Sequence, residues 1–442
     1  MDIQEWINRR QALLAQMAPN SAALFFAAPE RTRSRDSDYL FRQNSDFWYF
    51  CPLNEPEAAL LLIKDAHGTR SVLFNREKDP LAEVWHGRRL GQSAAPAALA
   101  VDQAFAYPAL AQELPALLSG LDVLYHAEGE YDYADQAVAQ VLTTLRNGFR
   151  QGLRAINTQM DWRPLVHEMR LFKSPAEIAL MRTAAEISAK AHCRAMEKAR
   201  AGLFEYHLEG EIQHEFSRHG ARFAAYNSIV GSGDNACILH YTENESELRD
   251  GDLVLIDAGA EYQGYAGDIS RTFPVSGKFS AAQRALYDIV LRAELAAIEV
   301  LVPGHSIKQA NDLVLRIMVE GLVALGILHG ETEQLIAEKA YLPFYMHGLG
   351  HWLGLDVHDV GDYSTPARER ILQPGMVLTV EPGLYIAPDA DVPEAYRGIG
   401  IRIEDNLLMV EGGNQVLTAG VPKDPDAIEA LMSAARHSVS VH

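Results

Sequence analysis

The feature that most constrains this chain is a phrase that occurs twice. Gly251-Asp-Leu-Val-Leu-Ile-Asp257-Ala-Gly259 and Gly375-Met-Val-Leu-Thr-Val-Glu381-Pro-Gly383 both run from a glycine through five mostly apolar residues to a carboxylate, any residue and a second glycine. A short apolar run bounded by turn residues reads as a buried strand. Each phrase is preceded by two helix signals. Ser174-Pro175-Ala176-Glu177 is a capping box with proline at the first helical position, and Glu205–Arg218 sets Leu208, Ile212 and Phe216 on one face before stopping at Gly220. Ser280 with Gln283, and Ser306 with Gln309, open the second pair. Two helices and an acid-ended strand, repeated, predict a duplicated domain in which the two acidic strand ends meet. The period is far too long for a solenoid.

A lone Asp-x-Gly is more often a turn than a site. The next strand, expected over Tyr265–Phe273, changes that reading because it carries Asp268. A hairpin centred on Tyr262-Gln263 pairs Asp257 directly with Asp268, with Cβ atoms about 4.5–5.5 Å apart. Like charges so placed need a proton or a cation between them. In Ile401-Arg402-Ile403-Glu404-Asp405, strand alternation puts Arg402 and Glu404 on the face opposite Ile401 and Ile403. In His347-Gly-Leu-Gly-His351, followed by His358, two glycines argue against a helix, and the glutamate that a zinc-binding helix needs after its first histidine is replaced by Gly348. His192, His207, His214 and His219 are expected on helix surfaces. Asp257, Asp268, Glu381, Glu404 and one neutral imidazole carry four negative charges, which two divalent cations balance. An oxygen-rich set with one imidazole suits Mn²⁺, Co²⁺, Fe²⁺ or Zn²⁺.

The rest of the chain sets limits. Its 442 residues exceed one ordinary core. Residues 1–172 alternate strand signals (Ala23–Phe26, Ala58–Ile63, Val72–Phe74, Val123–Tyr125) with helix signals (Ile3–Met17, Ala109–Leu118, Ala134–Leu145), the mark of an α/β domain, and a second domain is expected over 173–442. No phosphate-cradling glycine loop opens any of those helices. Lys and Arg total 39 against 59 Asp and Glu, a formal charge of −20, which disfavours a nucleic-acid partner. Cys51, Cys193 and Cys237 are too few and too scattered for a disulfide framework. No apolar run near the start approaches the ~20 residues of a membrane span. A cytoplasmic location is expected, with no membrane partner.

Leu255-Ile-Asp257-Ala-Gly259, Gly267-Asp268-Ile-Ser-Arg-Thr272, His347-Gly-Leu-Gly-His351, Thr379-Val-Glu381-Pro-Gly383 and Ile401-Arg-Ile-Glu404-Asp405 resemble the metal-binding motifs of the pita-bread metallopeptidases. Arg42-Gln-Asn-Ser-Asp-Phe-Trp48-Tyr49 and Glu168-Met-Arg-Leu-Phe-Lys-Ser-Pro175 extend the likeness to their bacterial aminopeptidase P branch, essentially end to end. The resemblance implies a creatinase-like α/β domain ahead of a pita-bread catalytic domain. It implies two divalent metal ions, with manganese the first choice. Asp257 and Asp268 would hold one and His351 and Glu381 the other, with Asp268 and Glu404 bridging. His240, His347 and His358 match the family's histidines around the metals, Arg402 an orienting arginine, and Tyr385 a nearby tyrosine. Trp85 matches a tryptophan that reaches a neighbouring subunit's site in a homotetramer; otherwise it is an aromatic of the first domain's core or interface. The implied activity is release of the N-terminal residue from peptides with proline second. The alternatives are an Xaa-Pro dipeptidase and, further off, a non-enzymatic binding protein on the same fold.

Overall fold

The computed structural model describes residues 1–365 and 368–439. The chain divides into two compact units, Met1–Arg170 and Leu171–His442.

The first unit begins with α1 (Ile3–Gln16), capped by the Asp2 carboxylate on the Gln4 N–H. Its sheet contains β1 (Ser21–Phe26), β2 (Ala59–Asp65), β3 (Gly68–Asn75), β4 (Gln103–Ala106), β5 (Val123–Tyr125) and β6 (Thr158–Met160), in the order β4-β3-β2-β1-β5-β6. The pairs β1–β2 and β2–β3 are antiparallel; the outer pairs are parallel. Ala22, Leu24, Leu61, Ile63, Val72 and Phe74 pack with Leu114, Leu118, Val138 and Leu142, which come from helices Leu110–Leu118 and Asp132–Asn147. The strands and helices expected from periodicity are therefore present, with ends shifted by a few residues. Trp85 takes no part in this core. It lies on the short helix Pro80–His86, 83% exposed, beside Leu81 and Val84 at 79% and 80%.

In the second unit four helices carry the repeated plan: α2 (Pro175–Lys198), α3 (Glu205–Arg218), α4 (Ala281–Val300) and α5 (Ile307–Ala324). Ser174, Ser280 and Ser306 each accept from the N–H three residues on, and Glu177, Gln283 and Gln309 answer back to the cap N–H, which completes all three expected capping boxes.

The strands repeat more closely than the sequence shows. After β7 (Ile229–Ser232), β8 (Leu253–Asp257) leads into β9 (Ala260–Tyr262), and the chain returns as β10 (Tyr265–Ala266) and β11 (Ser270–Pro274). β9 pairs with β10 and β8 with β11. In the second arm β12 (Val377–Val380) leads into β13 (Gly383–Tyr385), and β14 (Gly400–Arg402) and β15 (Asp405–Val410) return. β13 pairs with β14 and β12 with β15. Asp257 and Glu381 thus end the outgoing strands, while Asp268 and Glu404 sit in the breaks of the returning ones.

The register of the first arm corrects the sequence reading. The hairpin turns at Gln263-Gly264, with φ of 49° and 91°, and pairs Tyr262 with Tyr265. Successive positive φ values match the turn that best suits the strand twist, and glycine supplies the second at no steric cost. Asp257 consequently lies opposite Ser270, not Asp268. The register is off by two residues, so Asp268 keeps the expected face and moves to the diagonal position.

The arms meet at their acid-bearing ends. The Glu404 N–H donates to the Ser270 carbonyl at 3.0 Å. Arg271, fully buried, donates to the Glu404 carbonyl at 2.6 Å and to the Asp405 carboxylate at 2.8 Å. Ile256, Phe273, Leu378, Val380, Ile401 and Ile403 pack behind this seam.

Candidate metal centre

A cavity of about 480 Å³ opens over the seam, lined by Asp257, Asp268, His351, Glu381 and Glu404 together with His240, His347, His358 and Arg402. Tyr226, Asn227, Ile229, Leu239, Thr242 and Val357 complete much of its wall. Residues drawn from segments more than a hundred positions apart are brought within reach of one another. Oxygens of Asp268 and Glu404 and a ring nitrogen of His351 all lie within 4.8 Å. His351 Nε2 is 3.4 Å from Asp268 Oδ2 and 3.4 Å from Glu381 Oε1.

His351 is placed by a loop laid against β12. Its N–H donates to Thr379 Oγ1 and its carbonyl accepts from the Thr379 N–H, at 3.0 and 2.8 Å. A side chain at Gly350 would run into the Thr379 carbonyl, so only glycine permits that approach. The imidazole tautomer follows from its partners. Nδ1 lies 2.9 Å from the Trp352 carbonyl, which can only accept, so Nδ1 carries the hydrogen. Nε2 then presents a lone pair towards two carboxylates. A cation satisfies such a convergence of an imidazole nitrogen and carboxylate oxygens, and a backbone carbonyl fixing the remote nitrogen is the usual support of a histidine ligand.

The carboxylates point the same way. Burial, and then the neighbouring Asp257, hold the Asp268 carboxyl well above the usual range. Glu404 is raised by burial and by Asp268. Burial and Glu404 push Glu381 up to about 8. Without a counter-charge these groups hold protons more tightly than free carboxyls do. The donor set of carboxylate oxygens plus one imidazole therefore fits hard or borderline divalent ions.

Arg402 is the hub of the wall. Its guanidinium is buried and donates in three directions: Nε to Ser270 Oγ at 2.8 Å, Nη1 to Tyr385 Oη at 3.0 Å, and Nη2 to Asp257 Oδ2 at 2.7 Å. Since Tyr385 accepts from Arg402, its own hydrogen goes to His347 Nε2, 2.8 Å away. His347 Nδ1 faces the Gly348 carbonyl at 2.9 Å and must donate there. Burial, followed by the charge of Arg402, lowers His347 to about 4. Thus His347 is a neutral imidazole with both nitrogens committed. Tyr385 touches Arg402 and His347 and does not itself line the cavity. His240 and His358 are exposed at the cavity, and the His358 ring meets the His351 ring edge-on at 4.3 Å.

Three participants went unread in the sequence. The Tyr226 hydroxyl lies 2.6 Å from Asp257 Oδ1 and 2.5 Å from Asp268 Oδ1, joining the two carboxylates whose direct pairing was expected. Asn406 brackets the Asp268 backbone, accepting from its N–H at 3.1 Å and donating to its carbonyl at 2.5 Å. Ser270 bridges Arg402 and Glu404. Ser270 and Asn406 stand beside acidic motifs, a usable signal; Tyr226 has none. Among the four helix histidines, His207, His214 and His219 are exposed as expected. His192 is not. It is fully buried, with Nε2 donating to the Ala258 carbonyl at 2.9 Å, because α2 packs its face directly on the turn after β8.

Comparison with known proteins identifies the family. The pattern of metallopeptidase family M24 matches residues 179–411, and that of the aminopeptidase P N-terminal domain matches residues 6–125. The chain is 66% identical to the Xaa-Pro aminopeptidase of Escherichia coli strain K12, over 98% of both chains. It is 55% identical to that of Haemophilus influenzae over 97% of both. It superposes on zinc-substituted E. coli aminopeptidase P in complex with product with a TM-score of 0.97, at 65% identity and 99% coverage of both chains. Proline aminopeptidase P II from Yersinia pestis gives the same TM-score at 66% identity, over 98% of this chain and all of that one.

Proposed function

The chain belongs to metallopeptidase family M24 and to its Xaa-Pro aminopeptidase branch, and from that premise we propose that Asp257, Asp268, His351, Glu381 and Glu404 hold two divalent cations with which it releases the N-terminal residue from peptides bearing proline second. The observation that carries this is His351 Nε2 set 3.4 Å from both Asp268 Oδ2 and Glu381 Oε1 at the cavity. In this reading Asp257 and Asp268 would hold one ion and His351 and Glu381 the other, with Asp268 and Glu404 available to both. Manganese suits the oxygen-rich set.

When bound, such a pair supplies Lewis acidity towards the scissile carbonyl and makes a nucleophile from water at neutral pH. The protein's own groups do the rest. The nitrogen of an Xaa-Pro bond bears no hydrogen, so the wall needs no acceptor for it, but the departing nitrogen must be given a proton. Glu381, at the cavity and beside His351, is the group to take a proton from water and deliver it there. His240 and His358 face the same space and donate to the carbonyl oxygen as it gains charge. Arg402 holds Asp257, and through Tyr385 it holds His347; these two position the site and transfer no proton.

Trp85, with Leu81 and Val84, forms an apolar face exposed in the single chain, which supports a homotetramer in which Trp85 reaches a neighbouring subunit's site. Three free cysteines suit a reducing, cytoplasmic setting. No helix among the described residues is long and apolar enough to cross a membrane.

The test is a product assay on Xaa-Pro and Xaa-Pro-Yaa, with chelated protein and with Mn²⁺ restored. Tripeptide cleavage is expected only with metal. Full activity after chelation would remove the metal-dependent reading, and cleavage confined to the dipeptide would make the protein a dipeptidase.

A further inference from the structure

Ser270 is fully buried at the start of β11, directly opposite Asp257. Its hydroxyl has two neighbours, Arg402 Nε at 2.8 Å and Glu404 Oε2 at 2.8 Å. A guanidinium has no lone pair to offer, so Ser270 accepts from Arg402, and its single hydrogen is left for Glu404. The direction of both bonds is therefore fixed. Its carbonyl is held as well, by the Glu404 N–H at 3.0 Å and Arg271 Nη1 at 3.0 Å. The Ser270 backbone thus anchors the Glu404 backbone, and the Ser270 side chain anchors one oxygen of the Glu404 side chain.

We propose that Ser270 is a positioning residue for the metal pair: by donating to Glu404 Oε2 it fixes the rotation of that carboxylate and presents Oε1 to the cations, and by accepting from Arg402 it ties this orientation to the guanidinium that also holds Asp257. The proposal rests on Glu404 being a metal ligand. Its physical content is that a carboxylate shared between two ions has to be held in one rotation, and that neither backbone bond to Ser270 can do this for the side chain. Hydroxyl groups of this kind around ligands are worth about 10–100-fold in metal affinity or activity. Removing the oxygen also leaves the buried Arg402 Nε without its acceptor, and so removes one of the bonds that join the two arms.

The experiment titrates the chelated full-length chain with Mn²⁺ by calorimetry and measures kcat and KM on an Xaa-Pro-Yaa tripeptide. The wild type should take up two ions. Ser270→Ala should bind the weaker of them about 10–100-fold less tightly and lose kcat by a similar factor, with KM within about twofold. Ser270→Thr, which keeps the hydroxyl, should restore both quantities towards wild type. Ser270→Cys, close in volume but a weak donor, should behave like Ser270→Ala, and it carries the test if the alanine variant fails to fold. Wild-type Mn²⁺ affinity in the alanine or cysteine variant would overturn the inference, as would equal impairment of the threonine and cysteine variants. A wild-type chain that takes up no second Mn²⁺ would instead overturn the reading of Glu404, and this inference with it.

Discussion

A Cβ at Gly383 would overlap the Tyr385 hydroxyl, and one at Gly259 would overlap the Gly267 carbonyl. The glycines that close the two repeated phrases are thus required by close approach, and their loss should act differently. Gly259→Ala forces two backbone segments apart and should destabilise the protein by about 1–3 kcal/mol, read by chemical denaturation. Gly383→Ala displaces Tyr385 from Arg402 and His347, and should lower kcat by about 100-fold, as misplacement near 1 Å can; unchanged turnover would show the tyrosine to be dispensable. At Glu381 the prediction concerns the metal-free protein. Its carboxyl is lifted from an ordinary 4.5 to about 8, chiefly by burial and then by Glu404. A raised folded value favours the protonated native state, so this contribution is complete below pH 4.5 and lost as pH rises to about 8. Asp268 and Glu404 shift in the same direction. The melting temperature of chelated protein should fall between pH 5 and pH 8, and added Mn²⁺ should raise it most at the upper end. A flat profile would mean that the carboxylates are already compensated within the protein.

Among the elements, helix starts were the most legible because a capping box is local. Ser174, Ser280 and Ser306 need only the residues that follow them, and each is found bonded as its spacing predicts. Ser280→Ala should cost about 1 kcal/mol in urea melts, the ordinary value of an N-cap; no measurable change would mean that tertiary packing alone sets that boundary. Strand pairing was less legible. The apolar run of β8 marks a strand, but its register is decided at a turn where Gln263 accepts a positive φ beside Gly264. Apolar periodicity does not reveal that, so Asp257 was matched with the wrong partner. The break between β10 and β11 that exposes Asp268 was equally hidden. There Asn406, on the other arm, accepts from the Asp268 N–H and donates to its carbonyl.

At the scale of the molecule, the five acidic and histidine groups were readable from motif and resemblance, whereas the Tyr226 hydroxyl was not. A hydroxyl gains its role only from what folds against it, and here those partners come from elsewhere in the chain. For the proposed assembly the one sequence signal was Trp85, which is largely exposed in the single chain. Trp85→Ala should shift the mass seen by light scattering towards smaller species and reduce tripeptide cleavage; a tetramer of full activity would exclude its reach into a neighbour. The centre itself has a further consequence through Arg402. Every bond this side chain makes runs outward, to Ser270, Asp257 and Tyr385. A group with no vacancy for hydrogen is an insulator in any proton circuit, and it stands between the two carboxylate arms. Acidity gathered at the site therefore has no relay through this guanidinium, which leaves the open mouth and the departing product as the routes on its side.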